Sequence, residues 1–279
     1  MAYQVVHKKI TRLKDNSVSN VNDLLAVEEP MQIKLLYWQG DIPVEANISI
    51  TMRTPGNDFE LSVGFLFTEG VITNPDFIES VSYCNKALSE GKENVVKVML
   101  KKNAPVQLPQ AERNFYISGS CGVCGKTAIE SLEQTACFPI DFDFSVNHEQ
   151  LFQLKNQMQQ EQVNFKYTGG IHACALFDET GNIMIMREDI GRHNALDKLI
   201  GHYTLQQALP LEKKILLLSG RISFELVQKA VMAGIPIICG VGAPSSLAVE
   251  TAERSGITLI GFLKETSLNI YTHSQRVSL

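Results

Sequence analysis

The stretch KILLLSGRISFELVQKAVMAGIPIICGVGAPSSLAVETAERSGITLIGF, residues 214–262, decides the fold class. Three short apolar runs, KILLL, IPIIC and ITLIGF, alternate with two amphipathic segments, ISFELVQKAVMA and SSLAVETAERS. Strands without polar alternation are buried on both faces, and helices between them are the crossovers of a parallel sheet. Residues 192–200 add a helix upstream, so the chain after Gly191 reads αβαβαβ. Right-handed crossovers are expected to set helices on both faces of that sheet. The expected class is α/β.

Working back toward the N-terminus, residues 171–177 and 183–186 read as strands around the hairpin signal Glu179-Thr180-Gly181-Asn182. Asn147 is the expected cap of the helix HEQLFQLKNQMQQ, and another helix is expected to begin near Lys126. Residues 31–38 and 46–53 predict two strands joined by a turn at Gly40-Asp41, with further strands near 79–84 and 94–101. Asn57-Asp58 offer capping side chains to the helical segment DFELSVGFLFTEG, which closes on Gly70. Residues 1–30 are polar and mixed. The expected division is an N-terminal mixed α+β part over residues 1–110 and an α/β core over residues 111–279.

Composition narrows the function classes. With 279 residues, 44% hydrophobic and 20% charged, the chain is globular rather than disordered. A net charge of −5 argues against broad binding to nucleic acid or anionic lipid. No apolar stretch approaches the roughly 20 residues of a membrane span. The first residues hold no apolar signal core, and six cysteines in such a chain do not read as a disulfide framework. A cytoplasmic protein with reduced thiols is expected.

The strongest chemical signal is Gly119-Ser120-Cys121-Gly122-Val123-Cys124-Gly125-Lys126. A thiol reacts as thiolate, and its pKa falls near a helix start, near a cation or in a Cys-x-x-Cys pair. Thiolate attacks sulfane or disulfide sulfur, and a neighbouring thiol resolves the adduct. That chemistry suits a persulfide carrier. The same pair would serve as half of a zinc site, which needs four ligands, and only His172 and Cys174 offer a compact second pair. Cys84, Cys137 and Cys239 read as structural. His172 and Cys174 share one face of a strand, either as pocket lining or as a satisfied core pair.

A second constellation, Arg187-Glu188-Asp189-Ile190-Gly191-Arg192-His193-Asn194, opens a helix after a strand. Asp189 is a candidate cap. Arg192 and His193 place cations where a helix disfavours them, which points to an anionic ligand. The parallel strands end in Ser219-Gly220-Arg221, in the turn from Gly240 to Ser246, and in Gly261-Phe262-Leu263-Lys264. Ligands of open α/β sheets collect at such ends. Glycines there serve either a close ligand or turn geometry, and Arg221 and Lys264 suit phosphate.

Together these motifs resemble the formate dehydrogenase accessory sulfurtransferases, the FdhD family. The resemblance rests on Glu28 to Pro30, on LSVGF from Leu61 with Thr68-Glu69-Gly70, and on the Gly-x-Cys-Gly-x-Cys-Gly loop. It continues through TGGIH from Thr168, EDIGRHNALDK from Glu188, Ser219-Gly220-Arg221, Ala248-Val249-Glu250 and Ile270-Tyr271-Thr272-His273. The resemblance implies a cytidine-deaminase-like α/β/α core with parallel strands and a smaller N-terminal β-containing part, as a homodimer. It implies sulfur transfer from a cysteine desulfurase to the molybdenum cofactor bis(molybdopterin guanine dinucleotide), which GDP-like nucleotides mimic, in the service of formate dehydrogenase. By motif position, Cys121 bears the persulfide and Cys124 relays or resolves it. The cofactor stretch falls on Phe262, Leu263, Lys264, Glu265, Thr266 and Ser267, with Arg221, Arg192 and His193 as further contacts. Relatives often carry Arg and Gly after the Gly-Phe turn, whereas Glu265 here adds negative charge beside Lys264. No resident metal, nucleic acid or membrane is expected. Two rivals share the fold: a zinc- or redox-dependent Cys-x-x-Cys enzyme, and a non-catalytic chaperone that delivers a guanine-nucleotide cofactor.

Overall fold

The computed structural model describes residues 4–84, 93–108, 138–140 and 144–278. The chain opens with strands β1 (Val5–Lys14) and β2 (Ser17–Ala26), an antiparallel hairpin. Asp15 and Asn16 turn it with φ of 48° and 60°, the left-handed pair that a two-residue hairpin loop demands. Strands β3 (Glu29–Gln39) and β4 (Ile42–Arg53) form a second hairpin through Gly40 and Asp41. Helix α1 (Asp58–Thr68) follows, then β5 (Ile78–Tyr83) and β6 (Val95–Leu100). These strands make a four-stranded sheet in the order β4-β3-β6-β5. Met31, Ile33, Leu35 and Tyr37 alternate inward along β3, as a one-sided sheet requires.

The second half begins with β7 (Val146–Asn147), α2 (His148–Glu161) and α3 (Val163–Thr168). Then come β8 (His172–Phe177), β9 (Ile183–Asp189), α4 (Arg192–Leu205), β10 (Ile215–Leu218) and α5 (Phe224–Met232). The chain finishes with β11 (Ile237–Gly240), α6 (Ser246–Arg254), β12 (Thr258–Gly261), β13 (Asn269–Ile270) and β14 (Val277–Ser278). A six-stranded sheet runs in the order β13-β12-β11-β10-β8-β9.

Only β10, β11 and β12 pair in parallel within that sheet, while β8, β9 and β13 run antiparallel. The expected parallel sheet is therefore mixed. Asp178 explains one edge, since its carboxylate accepts from Thr180 N and Asn182 N, both at 2.9 Å, and folds β8 back on β9. Helices cover both faces, but the crossovers α5 and α6 share one. Strands β10, β11 and β12 advance in a single direction, so two right-handed crossovers fall on the same side. There Cys174, Leu216, Ile238 and Leu259 meet Leu226, Ala230 and Ala248. The other face, with Ala175, Leu217 and Cys239, packs against Leu151, Leu154 and Met158 of α2.

The first apolar cluster is continuous from β3 and β6 through α1 and α4 to the six-stranded sheet. Two expected caps differ from the sequence reading. Asn57 caps α1 without a side-chain hydrogen bond, and the Asp58 carboxylate instead receives Arg53 Nε at 3.0 Å and Nη2 at 2.9 Å. Gly191, not Asp189, is the cap residue of α4. Asn147 does form a capping box with Gln150, and Gly70 takes φ 70° just beyond α1.

Candidate functional site at the strand ends

The turns after β10, β11 and β12 are laced together by main-chain hydrogen bonds. Gly242 N donates to Gly220 O at 3.0 Å, Phe262 N to Gly242 O at 3.1 Å, and Leu263 N to Gly240 O at 3.0 Å. The glycines permit this lacing. A Cβ on Gly242 would stand 2.9 Å from Arg221 N, and one on Gly261 2.8 Å from Pro244 Cδ. Neighbouring turns thus account for glycine at these two positions without any ligand.

Within residues 262–267 the side chains divide. Phe262 is exposed and holds φ 53°, a strained value for a bulky residue. Leu263 is fully buried in the cluster beneath α2. Lys264, Glu265, Thr266 and Ser267 are exposed on a turn closed by Lys264 N to Ser267 O at 2.8 Å. Arg221 is exposed two strands away, about 10 Å along the sheet.

Arg192 and His193 are brought to the β10 turn by a buried network. Asp189, with no exposed surface, accepts Gly191 N at 2.9 Å and Thr54 N at 3.2 Å, and pairs with Lys198 Nζ at 2.7 Å. Lys198 Nζ also donates to Thr54 O at 2.8 Å. His193 Nε2 then lies 3.4 Å from Ser223 Oγ, just past Arg221. The Arg192 Nε is buried without a hydrogen-bond partner among the described residues. Glu188 serves the same end of the sheet differently. Its carboxylate accepts Asn164 N at 3.1 Å and Phe165 N at 3.0 Å, satisfying the free N–H groups that open α3.

His172 stands between these groups. Its Nδ1 would lie 3.5 Å from a Cβ on Gly220. Burial, and then the charges of Arg192 and His193, hold its imidazole below the ordinary histidine pKa. It lines a cavity of about 590 Å³ with Lys155, Gln159, Gln162, Phe165 and Ser219. Ser219 Oγ is fixed by Ala173 N at 2.9 Å. Cys174 is instead buried, its Sγ 3.9 Å from Arg192 O, and burial pushes its thiol pKa up. The structure therefore resolves the pair: His172 is pocket lining and Cys174 is core. Cys121, Cys124, Cys137 and the helix expected near Lys126 lie outside the described residues. Among the described residues no group of three or more His, Cys, Asp or Glu side chains is placed to hold a metal ion. No helix among them is long and apolar enough to cross a membrane.

The sequence reading missed the cavity's polar wall. Gln162 sits at the break between α2 and α3, and a lone polar residue at a helix junction carries no periodic signal of burial.

Comparisons with known proteins cover nearly the whole chain. The model of the FdhD/NarQ family matches residues 26–278. The sulfur carrier protein FdhD of Streptomyces coelicolor is 45% identical over 277 residues, covering 98% of this chain and 95% of its own. The protein of that name from Mycobacterium tuberculosis is 42% identical over 284 residues, covering all of both chains. That from Saccharolobus solfataricus is 39% identical over 277 residues, covering 99% of this chain and all of its own. A crystal structure from Desulfotalea psychrophila, of a protein described as a formate dehydrogenase accessory protein, superposes with a TM-score of 0.76. It is 23% identical and covers 99% of this chain and all of its own, a likeness of fold.

Proposed function

The chain belongs to the FdhD/NarQ family, and from that premise we propose that it is a sulfur carrier acting as a sulfurtransferase in the service of formate dehydrogenase. The observation that carries this reading is the near full-length likeness to relatives named as sulfur carriers. The donor is a cysteine desulfurase persulfide. Cys121 thiolate attacks its terminal sulfur, the donor leaves as thiolate, and Cys121 becomes the persulfide. The acceptor is bis(molybdopterin guanine dinucleotide), held as substrate at the strand ends by Arg221, Arg192, His193 and residues 262–267. Cys124 thiolate attacks the inner sulfur of the persulfide, which forms a Cys121–Cys124 disulfide and releases hydrosulfide. A dithiol reductant restores the pair.

The chain works as a cytoplasmic homodimer whose six-stranded layer is the cytidine-deaminase-like core, with residues 1–110 as the smaller part. The mixed strand order is compatible with that core. Intact-protein mass spectrometry after incubation with a cysteine desulfurase and cysteine tests the reading. A gain of one sulfur, removed by reductant and absent in Cys121→Ala, is expected. No gain under conditions that load a control acceptor favours the delivery chaperone. Stoichiometric zinc lost on Cys124→Ser favours the metal-dependent rival.

A further inference from the structure

The hairpin of β1 and β2 stands apart from both apolar clusters. None of its residues is buried, and it pairs with no other strand among the described residues. Two strands alone are marginally stable in water, whereas three or more with an apolar face hold together. The cross-strand pairs Val6–Leu25, Ile10–Val21 and Leu13–Val18 are apolar, and Leu13 and Val18 are 72% and 70% exposed. Only the base is anchored. Gln4 Nε2 donates to Pro55 O at 3.0 Å, Asn164 Nδ2 of α3 donates to Gln4 Oε1 at 2.8 Å, and Val27 N donates to Gln4 O at 2.9 Å.

The two outer edges of this ribbon differ. Strand β1 carries Lys8, Lys9, Arg12 and Lys14 on a chain of net charge −5. Lysine-rich edges resist pairing with their own kind. Strand β2 carries only Asp23. Its free backbone groups follow from the turn. Lys14 and Ser17 flank a two-residue loop and exchange hydrogen bonds, so every second residue from Val18 turns its N–H and C=O away from β1. The bond from Val27 N to Gln4 O keeps the same alternation at the base. Of these outward groups, Leu24 N is satisfied by Asp23 Oδ1 at 3.0 Å. The backbone groups of Val18, Asn20 and Asn22 have no partner among the described residues.

Charge and symmetry select the occupant. Pairing β1 with β1 would set cation against cation. Pairing β1 with β2 of the next copy would leave a free edge at each end and grow without closing. Pairing β2 with β2 is self-complementary about a two-fold axis and closes. It also leaves the cationic β1 strands outermost, where they guard the new edges.

We propose that β2 pairs antiparallel with β2 of a second copy of this chain, through the outward groups of Val18, Asn20 and Asn22. The two hairpins then form one four-stranded sheet that spans the dimer. The proposal rests on the homodimer reading above and gives that dimer its surface.

Sedimentation velocity of the full chain over a concentration series tests it, on the wild type, Asn20→Pro, Asn20→Ala and Asn22→Lys. The wild type sediments as a dimer. Asn20→Pro removes an outward donor and spares the bonds to β1, and it should raise the dissociation constant about tenfold or more. Asn22→Lys places a cation on the pairing edge and should act likewise. Asn20→Ala keeps the backbone donor and should dimerise as the wild type does. Near-ultraviolet circular dichroism of Trp38, which lies outside the hairpin on β3, should be unchanged in all three. A monomeric wild type overturns the proposal, as does an Asn20→Pro that dimerises as tightly as the wild type. Equal dissociation of Asn20→Ala and Asn20→Pro also overturns it, because the side chain rather than the edge would then be responsible. A monomeric wild type that loses desulfurase-dependent persulfide loading on Asn20→Pro assigns the edge to the sulfur donor instead. Persulfide loading is read on the same wild-type preparation. Loading by a monomer leaves the sulfur-carrier reading standing without the strand pairing, and a dimer that responds as stated but never loads does the reverse.

Discussion

Gly64 of α1 and Gly201 of α4 lie backbone to backbone: a Cβ on Gly64 would stand 2.9 Å from Gly201 N, and one on Gly201 2.8 Å from Gly64 N. Two helices from distant parts of the chain thus cross with no side chain between them. This crossing joins the four-stranded sheet to the helical layer that carries Arg192 and His193. Gly64→Ala and Gly201→Ala should each cost about 1–3 kcal/mol or more, since backbone rather than a flexible side chain must give way. Urea unfolding reads this as a lower midpoint with an unchanged slope. The double variant should cost less than the sum, because both methyls push the same helices apart. Full additivity would mean the helices do not share this contact.

Lys198 and Asp189 are both buried, 2.7 Å apart, at the start of the turn that presents the candidate anion-binding residues. Removing one partner leaves the other charge without compensation. Lys198→Met is expected to destabilise by about 3–5 kcal/mol, and Asp189→Asn in the same chain to restore part of it. Thermal and urea unfolding of the three variants check this. A loss below about 1 kcal/mol in the single variant would show that water already reaches the pair.

Acid stability should depend on Glu60. Burial acts to raise its carboxyl pKa, but Arg187, at 2.6 and 2.7 Å, and His202, at 3.0 Å, outweigh it and hold the group below its ordinary 4.5. A depressed carboxyl contributes stability that is fully present above the unfolded value and disappears as pH falls through the lower folded value. Glu60→Gln should therefore flatten the decline in urea midpoint below about pH 4.5. Parallel declines for variant and wild type would remove Glu60 from the account.

The parts of the fold legible in sequence are those where one local pattern carries the signal. Residues 214–262 have continuous apolar strands because both faces of β10, β11 and β12 are covered. The antiparallel placement of β8 beside β10 was not legible, since a strand's partner is set by tertiary packing rather than by its own residues. The hairpin β1–β2 stayed hidden because none of its residues is buried, so no alternation develops, although Asp15-Asn16 was a turn signal in plain view. At the site, His172 stood out as a polar residue on an apolar strand, with pocket and core both open. Gln162 did not stand out, because it lies at the junction of α2 and α3, where no helical periodicity marks a buried position.

Leu263 and Lys264 are adjacent in the stretch that the family resemblance assigns to the cofactor, yet they should fail differently. Leu263 is fully buried beneath α2, so Leu263→Ala leaves a hole and should cost about 2–5 kcal/mol. Lys264 is exposed and makes no side-chain hydrogen bond or ion pair among the described residues, so Lys264→Ala should stay within about 0.5 kcal/mol. Any loss of nucleotide affinity in Lys264→Ala then reports a phosphate contact, and it should shrink as salt rises. Glu265→Gln should act in the opposite sense, removing the negative charge beside that contact. Urea midpoints of the three variants, read with GDP affinity at low and high salt, separate the causes. A scan of residues 262–267 scored on sulfur transfer alone would record Leu263 and Lys264 as equivalent. A midpoint that falls for Lys264→Ala as far as for Leu263→Ala would show that Lys264 holds the turn itself rather than a ligand.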